Sequence, residues 1–208
     1  MSGNTSAPRH EASAGHSGVE IAKIMLHTFV AYVEDKPGVL TRVASLFRRL
    51  NINIISLTVG RSERSGFSRM TIVADASDEA GHRIRASLYK LEDVAEVDDI
   101  SGVSAVTREL ALIKVAANAE SRSGVFELAE VFRARIVDLA PESLMIEITG
   151  VESKIEGLIQ VLNERENRVL EVCRSGKMTM RRGHHTSRVL RAMGVADIPD
   201  GIEPVDPD

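Results

Sequence analysis

Residues 27–60 read HTFVAYVEDKPGVLTRVASLFRRLNINIISLTVG, and they set the architecture of the chain around them. The segment begins with a β-rich run, His27–Val33, and turns at Glu34–Gly38. Apolar residues then recur at helical spacing, and β-branched residues follow in Ile52–Val59. We therefore predict a strand, a helix and a second strand, in which Asp35 can cap the helix and Pro37 suits its first turn.

The residues that follow complete a four-stranded unit. After a polar hairpin loop, Arg69–Ala74 predicts a strand, the spacing of Ile84, Leu88 and Leu91 predicts a helix, and Val94–Ile100 predicts a last strand. The order strand, helix, strand, strand, helix, strand is the split βαβ, or ferredoxin-like, arrangement. Its two helices cover one face of an antiparallel sheet, so we expect a partner to cover the other face.

The same order of elements recurs in the second half of the chain. Strands are predicted at Leu110–Ala116, Ile136–Leu139, Leu144–Thr149 and Val169–Cys173, with a helical stripe in each of the two long intervals, 117–135 and 150–168. We predict an α+β chain of two tandem ferredoxin-like βαββαβ domains, at residues 24–102 and 109–175, joined by a linker at 103–108. Residues 1–23 are predicted to be a disordered leader, and residues 176–208 a partly disordered tail.

Composition excludes several classes of function. The 208 residues have a net charge of −4 and only 3% aromatic side chains, which argues against a nucleic-acid partner. No apolar run approaches the ~20 residues of a transmembrane helix, so we expect no membrane partner. The single cysteine excludes an internal disulfide and indicates a reducing compartment, which predicts a cytoplasmic protein.

No set of residues suggests catalysis. The chain contains no GxGxxG, P-loop, GxSxG or HExxH motif. Cys173 is predicted to be a buried, inert thiol, because it lies in a β-rich run beside Val172 and no charged partner for it is obvious. His184 and His185 lack the further ligands that a metal needs. We therefore predict no catalytic residue, no metal and no cofactor on this chain.

Two short segments together contain the components of an amino-acid site. At Asp35–Leu40 the free N–H groups of a helix start could bind a carboxylate, Gly38 allows close approach, and Asp35 could pair with an ammonium group. At Asn53–Ile55 an amide could bind either end of the ligand. Val39, Leu40, Ile54 and Ile55 could surround an aliphatic side chain. The alternative is that Asp35 only caps the helix, Gly38 only makes the turn and Asn53 only satisfies its loop.

An ordered series of segments resembles the small, regulatory subunits of acetolactate synthase, which begin with an amino-acid-binding ACT domain. Besides residues 27–60, the resemblance lies in SRMTIV at 68–73, LYKLEDVAEVDDI at 88–100, RELALIKV at 108–115, FRARIVDLAPESLMIEITG at 132–150 and RVLEVCRSGKMTMRRG at 168–183. It covers roughly residues 24–183. Each motif alone is a weak signal, whereas the ordered set is specific.

The resemblance implies a regulatory role in branched-chain amino-acid biosynthesis. It implies that the chain activates a thiamine-diphosphate-dependent catalytic subunit, transmits feedback inhibition by valine, and leaves thiamine diphosphate, Mg and FAD to that subunit. It also implies a homodimer through ACT domains, with valine bound between the protomers. The residues implied are Asp35, Lys36, Pro37, Gly38, Val39 and Leu40 of one protomer and Asn53, Ile54 and Ile55 of the other. Many relatives have Asn where this chain has Asp35, and an acid there favours the ligand ammonium but repels its carboxylate.

Arg69 and Met70 form a second candidate site. Arginine is common at interaction hot spots and methionine adapts to varied surfaces, and the resemblance favours contact with the catalytic subunit here. The alternative is that these residues are strand surface and core.

Two other functions compete with the regulatory role. An ACT-type transcription regulator would need a DNA-reading element, and the N-terminal segment is too short and polar for a helix-turn-helix. An independent enzyme would need a convergent acid–base or nucleophile set, which the sequence lacks.

Overall fold

The chain folds into two domains with the same order of elements. The computed structural model describes residues 25–164 and 169–183. The first domain comprises β1 (Met25–Glu34), α1 (Val39–Arg49), β2 (Ile54–Arg61), β3 (Phe67–Ala76), α2 (Asp78–Leu88) and β4 (Val94–Asp99). The second comprises β5 (Ala105–Ala116), α3 (Arg122–Val131), β6 (Arg135–Leu139), β7 (Ser143–Gly150), α4 (Glu152–Glu164) and β8 (Val169–Arg174), followed by β9 (Met178–Arg181). The prediction of two ferredoxin-like βαββαβ units is confirmed.

Both sheets are antiparallel and have the same strand order. The first runs β2-β3-β1-β4 and the second β6-β7-β5-β8. In each sheet the two central strands bring apolar residues into register, Phe29 opposite Ile72 in the first and Ile113 opposite Ile146 in the second. Each domain has its own core between its sheet and its two helices. The predicted leader lies outside the described residues, as does most of the predicted tail.

Helix α1 follows the predicted apolar stripe. Val39, Val43, Leu46 and Phe47 are buried at spacings of three and four residues, so one face of the helix packs on the sheet. Asn51, with a φ of 55°, ends the helix, and the N–H of Ile52 donates to the carbonyl of Phe47. This left-handed turn satisfies a carbonyl at the helix end and redirects the chain into β2.

The boundary between the domains differs from the prediction. The predicted linker, residues 103–108, is too long, because β5 begins at Ala105. Residues Ala105–Arg108 pair with Met178–Arg181, which was assigned to the tail and instead forms β9. This pairing joins segments far apart in the chain, so no local pattern could reveal it. Leu91, assigned to the second helix, lies beyond the end of α2 and packs against the core from the following loop.

The helix-free face of the first sheet is partly covered by the chain itself. Val30, Tyr32, Thr71 and Val73 point to this face and are almost fully buried. Arg69, on the same face, donates to the carbonyl of Thr179 in β9 at 2.6 Å. Over β1 and β3, Ile100 and strand β9 of the second domain therefore supply part of the cover, where a partner was predicted.

His27 is buried beneath α2 and restricts what the helix can have at position 81. Its ring stacks on Phe29, with ring centroids 5.9 Å apart, and its Nδ1 lies 3.3 Å from Oδ2 of Asp99. A Cβ atom at Gly81 would lie 2.6 Å from the imidazole, which is closer than carbon atoms can approach. The glycine therefore allows α2 to pack directly on the ring.

We expect Gly81→Ala to destabilise the first domain by roughly 1–2 kcal/mol. Overpacking costs about 1–3 kcal/mol, and the better helix propensity of alanine recovers up to about 1 kcal/mol. The matched control is Gly157→Ala in α4, where the added Cβ would meet Phe132 at an ordinary 3.6 Å. That control should be neutral or stabilising in urea unfolding. Equal effects of the two substitutions would contradict the packing argument.

Among the residues that the structure describes, no helix combines the length and apolar character needed to cross a membrane.

Candidate effector site

The turn between β1 and α1 is held from the start of β3. The N–H of Asp35 donates to the carbonyl of Gly66 at 2.9 Å, and the buried Ser68 hydroxyl lies 3.3 Å from Oδ1 of Asp35 as a donor. The prediction that Asp35 caps α1 is wrong, because the residue at the N-cap is Gly38 and the Asp35 carboxylate turns towards Ser68. The sequence did not single out Ser68 for this role, because the contact joins the turn after β1 to the distant strand β3.

Among the described residues, no side chain accepts a hydrogen bond from the backbone N–H groups in the first turn of α1. Gly38 adopts a φ of 88°, and in the described part of the chain no side chain caps this helix and no acidic residue lies in its first turn. Helix α2 differs, because Ser77 caps it and Asp78 and Glu79 follow. The uncapped N–H groups of α1 can therefore bind an anionic group of a ligand. Pro37 lies just before the N-cap, not in the first turn as predicted.

Arg42 brings a positive charge to this helix start. A Cβ at Gly38 would lie 3.8 Å from its Nη1, and the guanidinium forms an ion pair with the largely buried Asp93. Arg42 was not among the residues predicted for the site. The sequence does place Arg42 four residues after Gly38. That spacing is one helical turn and brings the side chain near the helix start. Nearby, Glu34 raises the pKa of Lys36. The larger cause is a side-chain hydrogen bond between the two residues, and the smaller is the negative charge of Glu34.

The second predicted segment lies beyond the other end of α1. Asn53 and Ile54 line an open depression of about 500 Å³ together with Ala44, Phe47, Arg48, Asn51 and Ile52. Because α1 has 11 residues, its ends are about 16 Å apart. One chain therefore keeps Asp35–Leu40 and Asn53–Ile55 apart.

Only some of the predicted apolar side chains can reach a ligand. Leu40 and Ile55 are 47% and 45% exposed, respectively. The side chain of Val39 is buried in the core, so its predicted contact with the ligand is wrong and only its backbone faces the turn. Ile54 is half-buried and packs against the same core.

Arg69 and Met70 point to opposite faces of the first sheet. Met70 is 2% exposed and belongs to the core, so a direct contact of its side chain with another subunit is wrong. Arg69 is half-buried on the helix-free face, where it also donates to the hydroxyl of Thr71. Strand alternation places neighbouring residues on opposite faces, which prevents both from sharing one surface.

Of the residues singled out for possible reactivity, the structure describes Cys173. Cys173 is exposed, which contradicts the predicted burial, because β8 is an edge strand and position 173 points to the helix-free face. Within 25–164 and 169–183, no group of three or more His, Cys, Asp or Glu could hold a metal ion. His184 and His185 lie outside those ranges.

Comparisons with known proteins agree with this architecture. A family profile for the AHAS small subunit-like ACT domain matches residues 29–96, and one for the small subunit of acetolactate synthase matches residues 108–183. The acetolactate synthase small subunit of Mycobacterium bovis is 47% identical over 157 residues, covering 76% of this chain and 92% of the relative. That of Mycolicibacterium smegmatis is 45% identical over 157 residues, covering 76% and 91%.

A solved structure shows the same fold. The crystal structure of the acetolactate synthase small subunit from Thermotoga maritima superposes with a TM-score of 0.72 at 40% identity, covering 77% of this chain and 99% of the other. The two profiles together span both domains, and the relatives match over nearly their whole length. The chain belongs to the acetolactate synthase small-subunit family.

Proposed function

We propose that this chain binds and activates the catalytic subunit of acetolactate synthase and makes that subunit sensitive to valine. The observation that supports an effector site most directly is the start of α1. Its N–H groups lack a side-chain cap among the described residues, Gly38 carries no side chain over them, and the guanidinium of Arg42, which is paired with Asp93, lies beside the turn. A ligand carboxylate fits this environment, and the Asp35 carboxylate, oriented by Ser68, fits the ligand ammonium.

The exposed apolar side chains favour an aliphatic amino acid. Leu40 lies beside the helix start, and Ile55 lies next to Asn53. Because one chain holds these two parts about a helix length apart, a site that uses both needs two protomers. We propose a homodimer in which Asp35–Leu40 of one protomer meets Asn53–Ile55 of the other.

The exposed edge of the first sheet fits such a dimer. Strand β2 is the last strand on its side of the sheet, and Ile55 and Val59 are both 45% exposed along it. An unpaired strand edge with apolar side chains is a surface that proteins usually cover. Pairing through this edge would also bring the start of β2 towards the partner.

The chemistry of the reaction is assigned to the catalytic subunit. We propose that thiamine diphosphate, Mg and FAD are bound there and that this chain contributes no reacting group. The single cysteine agrees with a cytoplasmic location, where thiols stay reduced.

The test is a reconstitution. We expect the cognate catalytic subunit to convert pyruvate faster with this chain than without it, and valine to remove most of the gain. The substitution Asn53→Ala should weaken valine inhibition by roughly tenfold, which corresponds to about 1.4 kcal/mol, the size of a hydrogen bond to a charged group. The control is Gln160→Ala, an exposed amide on α4, which should behave as the unaltered chain.

Three outcomes would contradict the proposal. These are no activation, no response to valine, leucine or isoleucine, or equal effects of Asn53→Ala and Gln160→Ala. Specific binding of the chain to promoter DNA in a gel-shift assay would favour a transcription regulator instead.

A further inference from the structure

The segment Ser175–Arg181 crosses the helix-free face of the first sheet from one edge to the other. The backbone N–H of Lys177 donates a hydrogen bond to Ser56 of β2. The carbonyl of Thr179 accepts one from Arg69 of β3, and Arg181 donates one to Asp98 of β4 at 2.9 Å. Strands β2 and β4 are the two edges of that sheet. Four residues of extended chain span about 13 Å, and three strand spacings span about 14 Å, so the segment fits the full width.

Where Ser175–Arg181 meets β2, the contact consists of two hydrogen bonds and a glycine without space for a side chain. The N–H of Lys177 donates to the hydroxyl of Ser56 at 2.8 Å, and the hydroxyl of Thr58 donates to the carbonyl of Lys177 at 3.1 Å. The preceding Gly176 has a φ of 81°, and a Cβ there would lie 2.9 Å from the Ser56 hydroxyl. Two adjacent backbone groups and a required glycine therefore dock on two hydroxyls of one strand.

The same segment is tied to the second domain. The ammonium of Lys177 lies 2.7 Å from Oε2 of Glu152 at the start of α4, and the Lys177 side chain is only 13% exposed. Beside it, Arg174 pairs with Glu156 of α4 at 2.8 Å. Strand β9 then pairs with the first residues of β5. A displacement of the Ser56–Thr58 region therefore acts on α4 through one lysine.

The docking point adjoins the proposed effector residues. Strand β2 begins at Ile54, and a β-bulge between Ile54 and Ser56 interrupts its pairing with β3. Bulges locally bend a strand and leave one residue unpaired, so this end of β2 can shift without breaking the whole ladder. Ile55, at the bulge, is exposed, and Ser56 is the next residue.

We propose that Ser175–Arg181 transmits effector occupancy from the first domain to the second. This inference rests on the proposed function. A ligand at Asn53–Ile55 favours one position of the start of β2, and Gly176 and Lys177 pass that preference to α4. Binding at one site changes another only if an element between them has two arrangements of different ligand affinity. The bulged end of β2 with its docked segment is that element, and the β2–β3 pairing from Ser56 to Arg61 fixes the rest of the strand.

The decisive experiment uses the full chain with the catalytic subunit. The double substitution Ser56→Ala and Thr58→Val removes both hydroxyls. We expect its valine Kd, measured by calorimetry on the regulatory chain alone, to stay within about threefold, and its activation of the catalytic subunit to persist. Valine inhibition in the reconstituted enzyme should weaken roughly fivefold or more, the lower end of typical coupling factors. The control is Ser123→Ala, an exposed hydroxyl on α3, which should leave inhibition unchanged.

A charge exchange tests the link to α4. Lys177→Glu should weaken inhibition to a similar degree, and adding Glu152→Lys to it should restore most of the valine response. Hydrogen exchange gives a measurement that does not need the catalytic subunit. The amide of Lys177 should change its exchange rate at least roughly fivefold when valine binds.

The outcomes separate the two claims. If the unaltered chain neither binds valine nor confers inhibition, the proposed function fails and this inference fails with it. If the unaltered chain does both, but the hydroxyl variant is inhibited as fully and the Lys177 amide does not respond, only the inference is overturned. If the double substitution prevents folding, Thr58→Ser, which keeps the hydroxyl, must retain inhibition while Lys177→Glu loses it.

Discussion

Gly38→Asp is expected to weaken valine binding roughly 100-fold, or about 2.7 kcal/mol. Two effects act in the same direction. Gly38 has a φ of 88°, which costs any other L-residue about 1–2 kcal/mol, so a substituted turn relaxes away from the geometry that binds the ligand. The new carboxylate would also stand at the helix start where the proposed site holds the ligand carboxylate, and like charges in close contact cost several kcal/mol. Calorimetry on the purified chain measures the effect directly.

Gly102→Asp is the matched control for this prediction. Gly102 also has a positive φ, 68°, and a Cβ there would meet open space. It lies between β4 and β5 and belongs to neither segment of the proposed site. The control therefore adds the same charge and a similar backbone strain without touching α1. A valine Kd that stays within about threefold in Gly38→Asp, or that rises equally in both variants, would show that the helix start does not bind the ligand.

Phe47→Ala is expected to cost the first domain about 3–5 kcal/mol of unfolding free energy. Phe47 is 1% exposed and packs in the core between α1 and the sheet, so the truncation leaves a cavity. Domains are typically stable by only about 5–15 kcal/mol, so much of the margin would be lost. Phe126→Ala is the control, because that ring on α3 is 40% exposed and should cost less than about 1 kcal/mol.

Tyrosine fluorescence can follow this unfolding selectively. The chain has two tyrosines and no tryptophan, and both tyrosines, Tyr32 and Tyr89, lie in the first domain. In urea the Phe47→Ala variant should therefore shift the tyrosine transition to lower concentration, whereas Phe126→Ala should not. A shift of the same size in both variants would mean that the two cores do not unfold separately.

The element order was predictable because each element carries its own periodicity. The stripe Val39, Val43, Leu46 and Phe47 is local, and so are the apolar runs of β5 and β7. Motifs spread along the chain were also enough to predict the family, which the comparisons confirmed. These signals lie within short windows, where side-chain spacing and backbone preference agree.

The errors have a common cause, which is contact between distant residues. Asp35 was assigned as a cap because capping is local, but its carboxylate bonds to Ser68 on another strand. Cys173 was predicted to be buried because it lies in a β-rich run beside Val172, yet β8 lies at a sheet edge. Which strand becomes an edge depends on how the strands pair across the sheet. The sequence of a single strand does not specify that pairing.

Local patterns along the chain are thus sufficient for its two βαββαβ domains, its family and the segments of its proposed effector site. Only tertiary structure decided that α1 separates the two halves of that site, and that Lys177 and its neighbours dock on Ser56 and Thr58. The physical reason is that periodicity reports which face of an element is buried, whereas docking requires two surfaces to match in position and hydrogen bonding.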